Sequence, residues 1–327
     1  MGVKIGALEL KYGLALAPMA GYTDRAMRRV CHELGAEYSV TEMVSAKAVV
    51  YNDKKTHALA AIGEDEGQVA LQIFGSEPSV MAEAAAILEH GEEGMASPVM
   101  IDINMGCPVN KIFSNAEGSA LMKNPDLIYK IVRAVSTAIS IPTSVKIRKG
   151  IDDGTVNAVE CALAAEEGGA SLITVHGRTR KQMYSGDVDA EIIRKVKKSV
   201  HIPVFANGDI TSVQSAKDML EYTGADGIMI GRGAVGNPFL FSEIRAYMDG
   251  VPYEPPTVDK RVDTALLQLR YAIEDKGEEA AVLESRKQIA GYLFGFRGAA
   301  TLRGKINSAR TYLEVERAMR EAEEENL

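Results

Sequence analysis

The sequence predicts an α/β fold, a (β/α)8 TIM barrel, followed by an all-helical C-terminal domain. Short apolar or β-branched runs alternate with helical patterns over the first three quarters of the 327 residues. Eight such runs fall within roughly 245 residues, close to the usual size of a (β/α)8 barrel. Glycine followed by alanine ends several of the helical patterns, as expected where a helix stops before a strand.

The eight predicted strands follow one another at regular spacing. They cover residues 14–17, 38–41, 69–73, 100–103, 143–146, 172–175, 204–206 and 227–230. The predicted helices between them include 79–90, 125–138, 156–167, 190–198 and 212–221. The glycine–alanine pairs are Gly35-Ala36, Gly169-Ala170 and Gly224-Ala225. A doubly wound open sheet is the alternative fold, but it usually has fewer strands and a Gly-x-Gly-x-x-Gly after the first, which this chain lacks there.

The pattern changes near Gly250. Residues 251–256 form a Pro-rich stretch that is unlike a helix or a central strand. Helical patterns then cover 258–275, 278–294 and 314–325, with a glycine-containing turn at 295–298. We therefore predict a catalytic barrel over residues 1–248, a linker over 249–257 and a helical domain over 258–327.

The composition is that of a soluble globular protein. The chain is 46% hydrophobic and 25% charged, and no apolar run approaches the ~18–20 residues that cross a bilayer. This argues against a disordered, fibrous or polytopic membrane protein, and the N-terminus does not resemble a signal peptide. Three widely spaced cysteines indicate neither a disulfide framework nor a metal site. We expect a cytoplasmic protein without membrane or metal partners.

The charge of the chain is unevenly distributed. The net charge of −8 taken alone argues against a nucleic-acid partner, because phosphate binding needs clustered Lys and Arg. Residues 285–313, however, contain six basic side chains and no acidic one. The last fourteen residues carry six glutamates. A basic segment on an acidic protein is therefore a candidate binding surface.

The loops after the seventh and eighth predicted strands favour phosphate binding. In a barrel the active site lies at the C-terminal ends of the strands, and a phosphate often binds at these two loops. Asn207, Gly208 and Asp209 follow the seventh strand, and Gly231 and Arg232 follow the eighth. They offer backbone N–H groups and a guanidinium that can bind phosphate in a bidentate manner. Taken alone, each glycine would be better explained by a tight turn, and it is their combination at these two strand ends that favours phosphate.

Three polar residues interrupt other apolar strand ends. Lys146, at the fifth strand, is either a surface lysine or a cation beside an electron-rich ring. Gln72, in the third strand, is either a core amide or a hydrogen-bonding partner for a heterocycle. His176, after the sixth, is either structural or a ligand for phosphate, ring or substrate.

Cys107 follows the fourth predicted strand, in Asn104-Met-Gly-Cys-Pro108. A thiol with the ordinary pKa of ~8.5 is protonated at neutral pH and can act as a general acid. A packing role and a nucleophilic role are the alternatives. Cys31 and Cys161 lie in helical patterns and are predicted to be packing residues.

Eight sequence blocks in chain order resemble the tRNA-dihydrouridine synthases, and residues 285–313 resemble the helical domain of the bacterial B-type members. The Met-Gly-Cys-Pro and His-Gly-Arg-Thr-Arg blocks are together highly specific. The blocks are Ala17-Pro-Met-Ala-Gly-Tyr-Thr-Asp24, Ser39-Val-Thr-Glu-Met-Val44, Asp102-Ile-Asn-Met-Gly-Cys-Pro108, Gly118-Ser-Ala-Leu121, Val145-Lys-Ile-Arg148, His176-Gly-Arg-Thr-Arg180, Ala206-Asn-Gly-Asp-Ile210 and Asp226-Gly-Ile-Met-Ile-Gly-Arg-Gly233.

The resemblance implies an FMN-containing barrel and a helical domain that holds tRNA. NADPH would reduce the flavin, which would then reduce the C5=C6 bond of a uridine, in B-type relatives a D-loop uridine. Cys107 would protonate C5, Asn104 and Arg178 would lie near the uracil, and Arg286 and Lys287 would contact the tRNA. The residues expected to bind FMN are Pro18, Met19, Ala20, Gln72, Lys146, His176, Asn207, Gly208, Asp209, Gly231 and Arg232. We expect a monomer.

The chain departs from the family pattern at three places where relatives often carry Trp or His. Phe239 stands in Gly236-Asn-Pro-Phe239, Gly291 precedes Tyr292, and Gln288 follows Arg286-Lys287. Gln288 and Gly291 lie in the part expected to bind tRNA, so these departures bear on which uridine is chosen.

Two other functions are compatible with parts of the pattern. An FMN barrel acting on a free pyrimidine, like the dihydroorotate dehydrogenases, would share the phosphate site and the lysine but would not need a basic helical domain. A non-catalytic tRNA-binding factor would not need Cys107, Lys146 and Gln72 together.

Overall fold

The computed structural model describes residues 2–91 and 94–326 and contains a closed barrel of eight parallel strands. Each strand pairs with the next along the chain, and the eighth pairs with the first, with Ile228 opposite Leu14. The predicted (β/α)8 barrel is therefore confirmed, and every predicted strand is present. The strands are Leu14–Leu16, Tyr38–Val40, Gln68–Phe74, Met100–Met105, Thr143–Arg148, Leu172–His176, Val204–Asn207 and Gly227–Ile230.

Helices surround the barrel, and the predicted ones agree with the structure within two residues. Gly35, Gly169 and Gly224 have φ values of +108°, +101° and +66°, which confirms the predicted helix ends, because glycine enters this left-handed region without strain. The helices of this part are Arg25–Glu33, Ala46–Val50, Lys54–Ala60, Pro78–Leu88, Asn110–Ser114, Pro125–Ala138, Ala158–Glu167, Ala190–Ser199, Val213–Thr223 and Leu240–Asp249.

Alternating side chains separate the barrel interior from the layer beneath the helices. Leu14 and Leu16 pack toward the helices, whereas Ala15 packs with Tyr38 and Phe205 in the interior. The rings of Tyr38 and Phe205 are 5.8 Å apart. An N-terminal hairpin, Val3–Ile5 with Leu8–Leu10, adds its apolar residues to this interior cluster. The hairpin was not predicted, because its strands are too short to show a clear period.

The C-terminal part is helical. Its helices are Val258–Lys276, Glu278–Gly291, Ala299–Ser308 and Tyr312–Glu324. The second was predicted to reach residue 294, but its α-helix ends at Gly291 and a turn follows. The third lies in a stretch where no helix boundaries were predicted. The division into residues 1–248, 249–257 and 258–327 stays a prediction.

The barrel and the C-terminal helices share an apolar contact. Ala26 and Phe239 are buried in the same cluster as Leu266 and Tyr292 of the C-terminal helices. Phe239 therefore fills a core position between the barrel and the C-terminal helices. Cys31 and Cys161 are buried, as predicted. None of the helices that the structure describes has the length and apolarity needed to cross a bilayer.

Candidate active site

A row of buried polar groups lines one wall of the barrel mouth. The register of the third and fourth strands places Gln72 opposite Asp102. Gln72 Nε2 donates to Asp102 Oδ2 at 2.6 Å, and Asn104 Nδ2 donates to Gln72 Oε1 at 2.8 Å. Ser144 Oγ donates to the other oxygen of Asp102 at 2.5 Å. The Gln72 amide is thus fixed in orientation by partners on both of its polar atoms.

Asn104 also holds the backbone that carries Cys107. Its Oδ1 accepts from the Cys107 N–H at 2.9 Å and from the Gly106 N–H at 3.2 Å. On the other side, Arg148 Nε donates to the Gly106 carbonyl at 2.8 Å, and Ser119 Oγ donates to the Cys107 carbonyl at 2.7 Å. The thiol therefore sits on a segment whose position is set by the neighbouring strand ends.

The environment of Cys107 keeps its thiol protonated. Partial burial raises the pKa of the Cys107 thiol, while the Val109 N–H and the charge of Arg148 partly offset this effect. A raised thiol pKa means that the proton is present at neutral pH. This is the protonation state that a general acid requires.

Lys146 joins the fifth and seventh strands across the mouth. Its Nζ donates to Asn207 Oδ1 at 2.9 Å, and Asn207 Nδ2 donates to the Met229 carbonyl at 2.7 Å. Burial and the nearby charge of Arg148 lower the pKa of Lys146 to about 8, against the opposing effect of Asp102. Lys146 is half-buried, and its ammonium is hydrogen-bonded to Asn207 at the mouth, as expected of a cation that faces a ligand there.

His176 presents an imidazole close to the Lys146 side of the mouth. A β-carbon on Gly208 would lie 3.0 Å from His176 Cδ2, so only glycine fits against the ring without displacing it. Burial and the surrounding cations, Lys146 first among them, hold the pKa of His176 far below its usual value. Neither ring nitrogen has a hydrogen-bond partner among residues 2–91 and 94–326. A neutral imidazole is thus free to contact a ligand.

The loops after the seventh and eighth strands fit the phosphate end of a nucleotide cofactor. Gly208 and Asp209 have φ values of +126° and +51°, and in the described chain their backbone N–H groups donate to no protein acceptor. A β-carbon on Gly233 would lie 2.1 Å from the Ile210 carbonyl oxygen, so the two loops touch through their backbones. Free amides in a glycine-lined concavity suit an anion.

The first barrel loop closes the opposite side of this concavity. A β-carbon on Gly231 would meet the Met19 sulfur at 3.5 Å, which brings the first and eighth strand ends together. Thr23 Oγ1 accepts from the Met19 N–H at 2.8 Å and fixes the loop. Pro18 and Met19 are half-buried there and Ala20 is exposed. The donor set and the glycine-lined walls therefore fit a flavin mononucleotide.

Arg178 makes contacts other than those expected beside a uracil. It is buried and forms a bidentate pair with Asp209, with Nη1–Oδ1 at 2.8 Å and Nη2–Oδ2 at 2.5 Å. Its Nε also donates to the carbonyls of Ser185 and Gly186. All three nitrogens of the guanidinium are used within the protein. In this structure Arg178 orders the loops after the sixth and seventh strands.

Two residues of the mouth had no role predicted from the sequence. Arg148 is buried and donates to the carbonyls of Gly106, Thr179 and Met183. Tyr184 is 54% exposed, with Arg232 4.7 Å and Arg148 5.9 Å from its ring centre. Arg148 belongs to the motif at the end of the fifth strand, so its position in the sequence could have identified it as a site residue. Tyr184 gave no local signal beyond its position after the His-Gly-Arg-Thr-Arg block.

The two residues of the helical domain that were predicted to contact tRNA differ in exposure and in hydrogen bonding. Lys287 is exposed, whereas Arg286 is half-buried and its Nη2 donates to the Ala309 carbonyl. Gln288 is buried and hydrogen-bonds with Gln268, so the departure at this position lies in the core. Arg286 therefore joins two helices rather than standing free.

A model of the dihydrouridine synthase family matches residues 15–326, which include every site residue described above. The chain belongs to the dihydrouridine synthase family. A probable tRNA-dihydrouridine synthase of Rickettsia conorii is 43% identical over 307 residues, covering 93% of this chain and 91% of the relative. The tRNA-dihydrouridine synthase B of Pseudomonas aeruginosa is 40% identical over 308 residues, covering 93% and 91%.

A solved amine oxidase structure shares the barrel. The 6-hydroxypseudooxynicotine amine oxidase of Pseudomonas geniculata N1 superposes with a TM-score of 0.58 at 14% identity. The match covers 76% of this chain and 49% of the amine oxidase. At this identity the likeness supports the fold of the dihydrouridine synthase and nothing about its substrate.

Proposed function

We propose that this dihydrouridine synthase reduces the C5=C6 bond of a D-loop uridine in tRNA, with Cys107 as the proton donor. The observation that carries the proposal is the fixed Cys107 loop, which Asn104 and Arg148 hold at the mouth that Lys146 also faces. Enzymes of this family depend on FMN and take their electrons from NADPH. The relatives in Pasteurella multocida and Pseudomonas aeruginosa are named tRNA-dihydrouridine synthase B.

Different residues at the mouth would bind different parts of the flavin. Free amides at Gly208 and Asp209, with Gly231 and Arg232, suit the phosphate and ribityl end, while Gln72, Lys146, His176 and Asn207 suit the polar ring edge and the first loop lines the ring. FMN bound there would supply the hydride for C6 of the uracil. The set we assign to FMN is Pro18, Met19, Ala20, Gln72, Lys146, His176, Asn207, Gly208, Asp209, Gly231 and Arg232.

Cys107 would supply the proton that completes the reduction. Its thiol transfers the S–H proton to C5 as C6 gains the hydride, so the double bond gains two hydrogens in total. The Arg148 charge stabilises the resulting thiolate, since it already favours the deprotonated form of the thiol. Solvent then returns the proton to sulfur. Asn104, whose amide contacts Met43, Gln72, Gly106 and Cys107, would hold the thiol beside the uracil. Arg178 would act through the Asp209 loop.

The uridine must leave its stack to enter the mouth. Arg286 and Lys287 are our proposed tRNA contacts, and the exposed ammonium of Lys287 is the better placed of the two. The tRNA substrate supports a cytoplasmic location, and the monomer stays a prediction. NADPH is the proposed partner for reduction of the bound flavin.

The test is nucleoside mass spectrometry of unmodified tRNA after incubation with the protein, FMN and NADPH. Wild type should form dihydrouridine above a control without NADPH. Cys107→Ala should reduce dihydrouridine formation by roughly 10²–10⁴, as expected for loss of a general acid. The variant should still bind FMN and oxidise NADPH. Cys161→Ala, which removes a buried thiol from a barrel helix, should stay close to wild type.

Three results would count against parts of this proposal. Full activity of Cys107→Ala would remove Cys107 as the proton donor. NADPH oxidation without dihydrouridine in any tRNA would contradict the substrate. Reduction of free pyrimidines without tRNA would support the dihydroorotate dehydrogenase-like alternative.

A further inference from the structure

The aromatic ring of Phe294 is exposed to solvent, whereas the apolar side chains next to it in the sequence are buried. It is 82% exposed, more than any other large hydrophobic residue in the described chain, whereas Tyr292 and Leu293 are fully buried and Phe296 is 8% exposed. All four lie in the segment 292–296 that follows the helix Glu278–Gly291, which we call the turn. The turn therefore places three apolar side chains in the core and directs one into solvent.

The turn is held rigidly in this arrangement. Arg261 Nη2 donates to the Tyr292 carbonyl at 2.5 Å and to the Phe294 carbonyl at 2.7 Å, and its guanidinium lies 4.5 Å from the Phe296 ring centre. Gly295 has a φ of +80°, which lets the chain reverse directly after Phe294. A ring carried by a fixed backbone loses little conformational entropy when a partner binds.

The turn stands at the C-terminal end of the barrel strands. A β-carbon on Gly236 would lie 2.2 Å from the Gly291 carbonyl carbon, so the two backbones are in contact. Gly236 follows Arg232 in the loop after the eighth strand. The glycine at position 291 thus brings the turn against a loop of the barrel mouth, the end at which Cys107 and Lys146 lie.

Two basic side chains of this part of the helical domain form no ion pair among the described residues, 2–91 and 94–326. Arg261 donates to the Phe294 carbonyl, and Lys287 stands in the helix Glu278–Gly291 that precedes the turn. Lys287 is exposed and lies one helical turn before Gly291, on the same face. An aromatic ring among unpaired cations suits an unstacked nucleic-acid base, which offers a flat face beside a phosphate.

We infer that Phe294 is a stacking platform for an unpaired base of the tRNA. The inference rests on the proposed function, because extrusion of a uridine into the mouth leaves a neighbouring base without its stacking partner. Phe294 takes the face of that base, and Arg261 and Lys287 face its phosphates. Phe294 is thus a substrate-binding residue of the helical domain outside the set identified from the sequence.

The experiment measures binding of unmodified tRNA to the FMN-loaded enzyme over a range of salt concentrations. Phe294→Ala should weaken binding by roughly 5–150-fold, the equivalent of about 1–3 kcal/mol for one stacked base, and raise the KM for tRNA by the same factor. The salt dependence should not change, because no charge is lost. Lys287→Ala should instead reduce the salt slope by about 1. Phe294→Tyr should bind as wild type does.

Matched variants distinguish base stacking from a general apolar contact and from self-association. Tyr247→Ala removes an exposed aromatic ring from the barrel helix Leu240–Asp249 and should leave tRNA binding unchanged. Unchanged binding by Phe294→Ala would overturn the inference, as would full affinity of Phe294→Leu, which keeps an apolar contact without a ring. A wild-type dimer that Phe294→Ala converts to monomer in sedimentation would assign the ring to a second copy and also overturn it.

The experiments distinguish failure of the proposed function from failure of the stacking role of Phe294. Absence of dihydrouridine in the wild-type reaction would contradict the function, whatever the binding results. Dihydrouridine formation together with unaltered tRNA binding by Phe294→Ala would contradict the stacking role alone.

Discussion

Lys146 places an ammonium group where burial and a neighbouring cation both oppose its charge. Its pKa falls from 10.5 to about 8, because burial and Arg148 outweigh Asp102. Between pH 8 and 10.5 the unfolded chain holds a proton that the folded chain has lost. Stability contributed by this lysine therefore rises with pH across that window and is lost as pH falls through about 8. An anionic ligand at the mouth would favour the charged form.

Urea unfolding of flavin-free protein between pH 7.5 and 9.5 tests this lysine. Wild type should gain stability with pH from about 8 upward, and Lys146→Met should lose this gain while being more stable than wild type below pH 8, because it removes a buried charge. Lys149→Met, whose ammonium pairs with Asp189 at 2.9 Å, is the matched control and should keep the wild-type slope. An equal slope in Lys146→Met and wild type would contradict the lowered pKa.

At the scale of elements, the segment that carries Cys107 is fixed in place by contacts from the loop after the sixth strand. Arg180 lies 3.6 Å from the Phe113 ring centre and its Nη2 donates to Asn110 Oδ1 at 2.6 Å. Asn110 and Phe113 belong to the short helix Asn110–Ser114, which begins three residues after Cys107. The loop after the sixth strand thus fixes the outer part of the cysteine segment, while Asn104 and Arg148 fix its inner part.

Replacing Arg180 should loosen the cysteine segment without removing a group from the mouth. Arg180→Met should lower kcat for dihydrouridine formation about tenfold, because the cation–π contact and the hydrogen bond to Asn110 are lost together and the thiol becomes less well placed. The FMN content should stay at the wild-type level. Single-turnover kinetics at saturating tRNA give the comparison.

Two related variants complete that test. Arg180→Lys should recover part of the rate, since it keeps the charge over the ring but not the planar fork. Lys181→Met, which removes an exposed pair with Asp152, should have the wild-type rate. A wild-type rate in Arg180→Met would show that the segment does not depend on this contact.

At the scale of the whole molecule, ion pairs join the helical part to the first barrel loop. Lys276 Nζ lies 2.8 Å from Asp24 and 2.9 Å from Glu284, and Arg25 Nη1 lies 2.6 Å from Asp275. Burial would lower the pKa of Lys276, but Asp24 and Glu284 outweigh it and raise the pKa to about 12. Asp24 directly follows the loop expected to line the flavin, so these pairs connect the two functional surfaces.

A double-mutant cycle at Lys276 and Asp24 tests this connection. Lys276→Met and Asp24→Asn should each lower the free energy of unfolding by about 1–3 kcal/mol, since each leaves a half-buried charged or polar group without its partner. The double variant should cost less than the sum, by at least about 1 kcal/mol. Additive effects in urea unfolding would contradict direct coupling. Lys305→Met, which breaks an exposed pair with Glu321, should cost less than about 1 kcal/mol.

Much of the fold could be predicted because its signals are local. Each barrel strand is a short apolar run, and the glycines at 35, 169 and 224 end helices for a conformational reason that needs no distant partner. The elements without predicted bounds include the N-terminal hairpin and the helices Ala46–Val50, Asn110–Ser114 and Ala299–Ser308, and the helix before Phe294 ends earlier than predicted. Their boundaries depend on packing against the barrel or on the Arg261 contacts, which no sequence period reveals.

The site also has a part that could be predicted from the sequence and a part that could not. Cys107, Lys146 and the glycine-lined loops were identifiable from the sequence, because a polar residue at a barrel strand end is unusual and position along the chain fixes which end it occupies. The partners of these residues were not. Lys146 reaches Asn207 two strands away, Arg178 is taken up by Asp209, and Gln288 points into the core. Such partners follow from strand register, barrel closure and helix rotation. Local order along the chain thus determined the elements and the candidate chemistry, while only the tertiary structure decided which polar groups face each other and which face solvent.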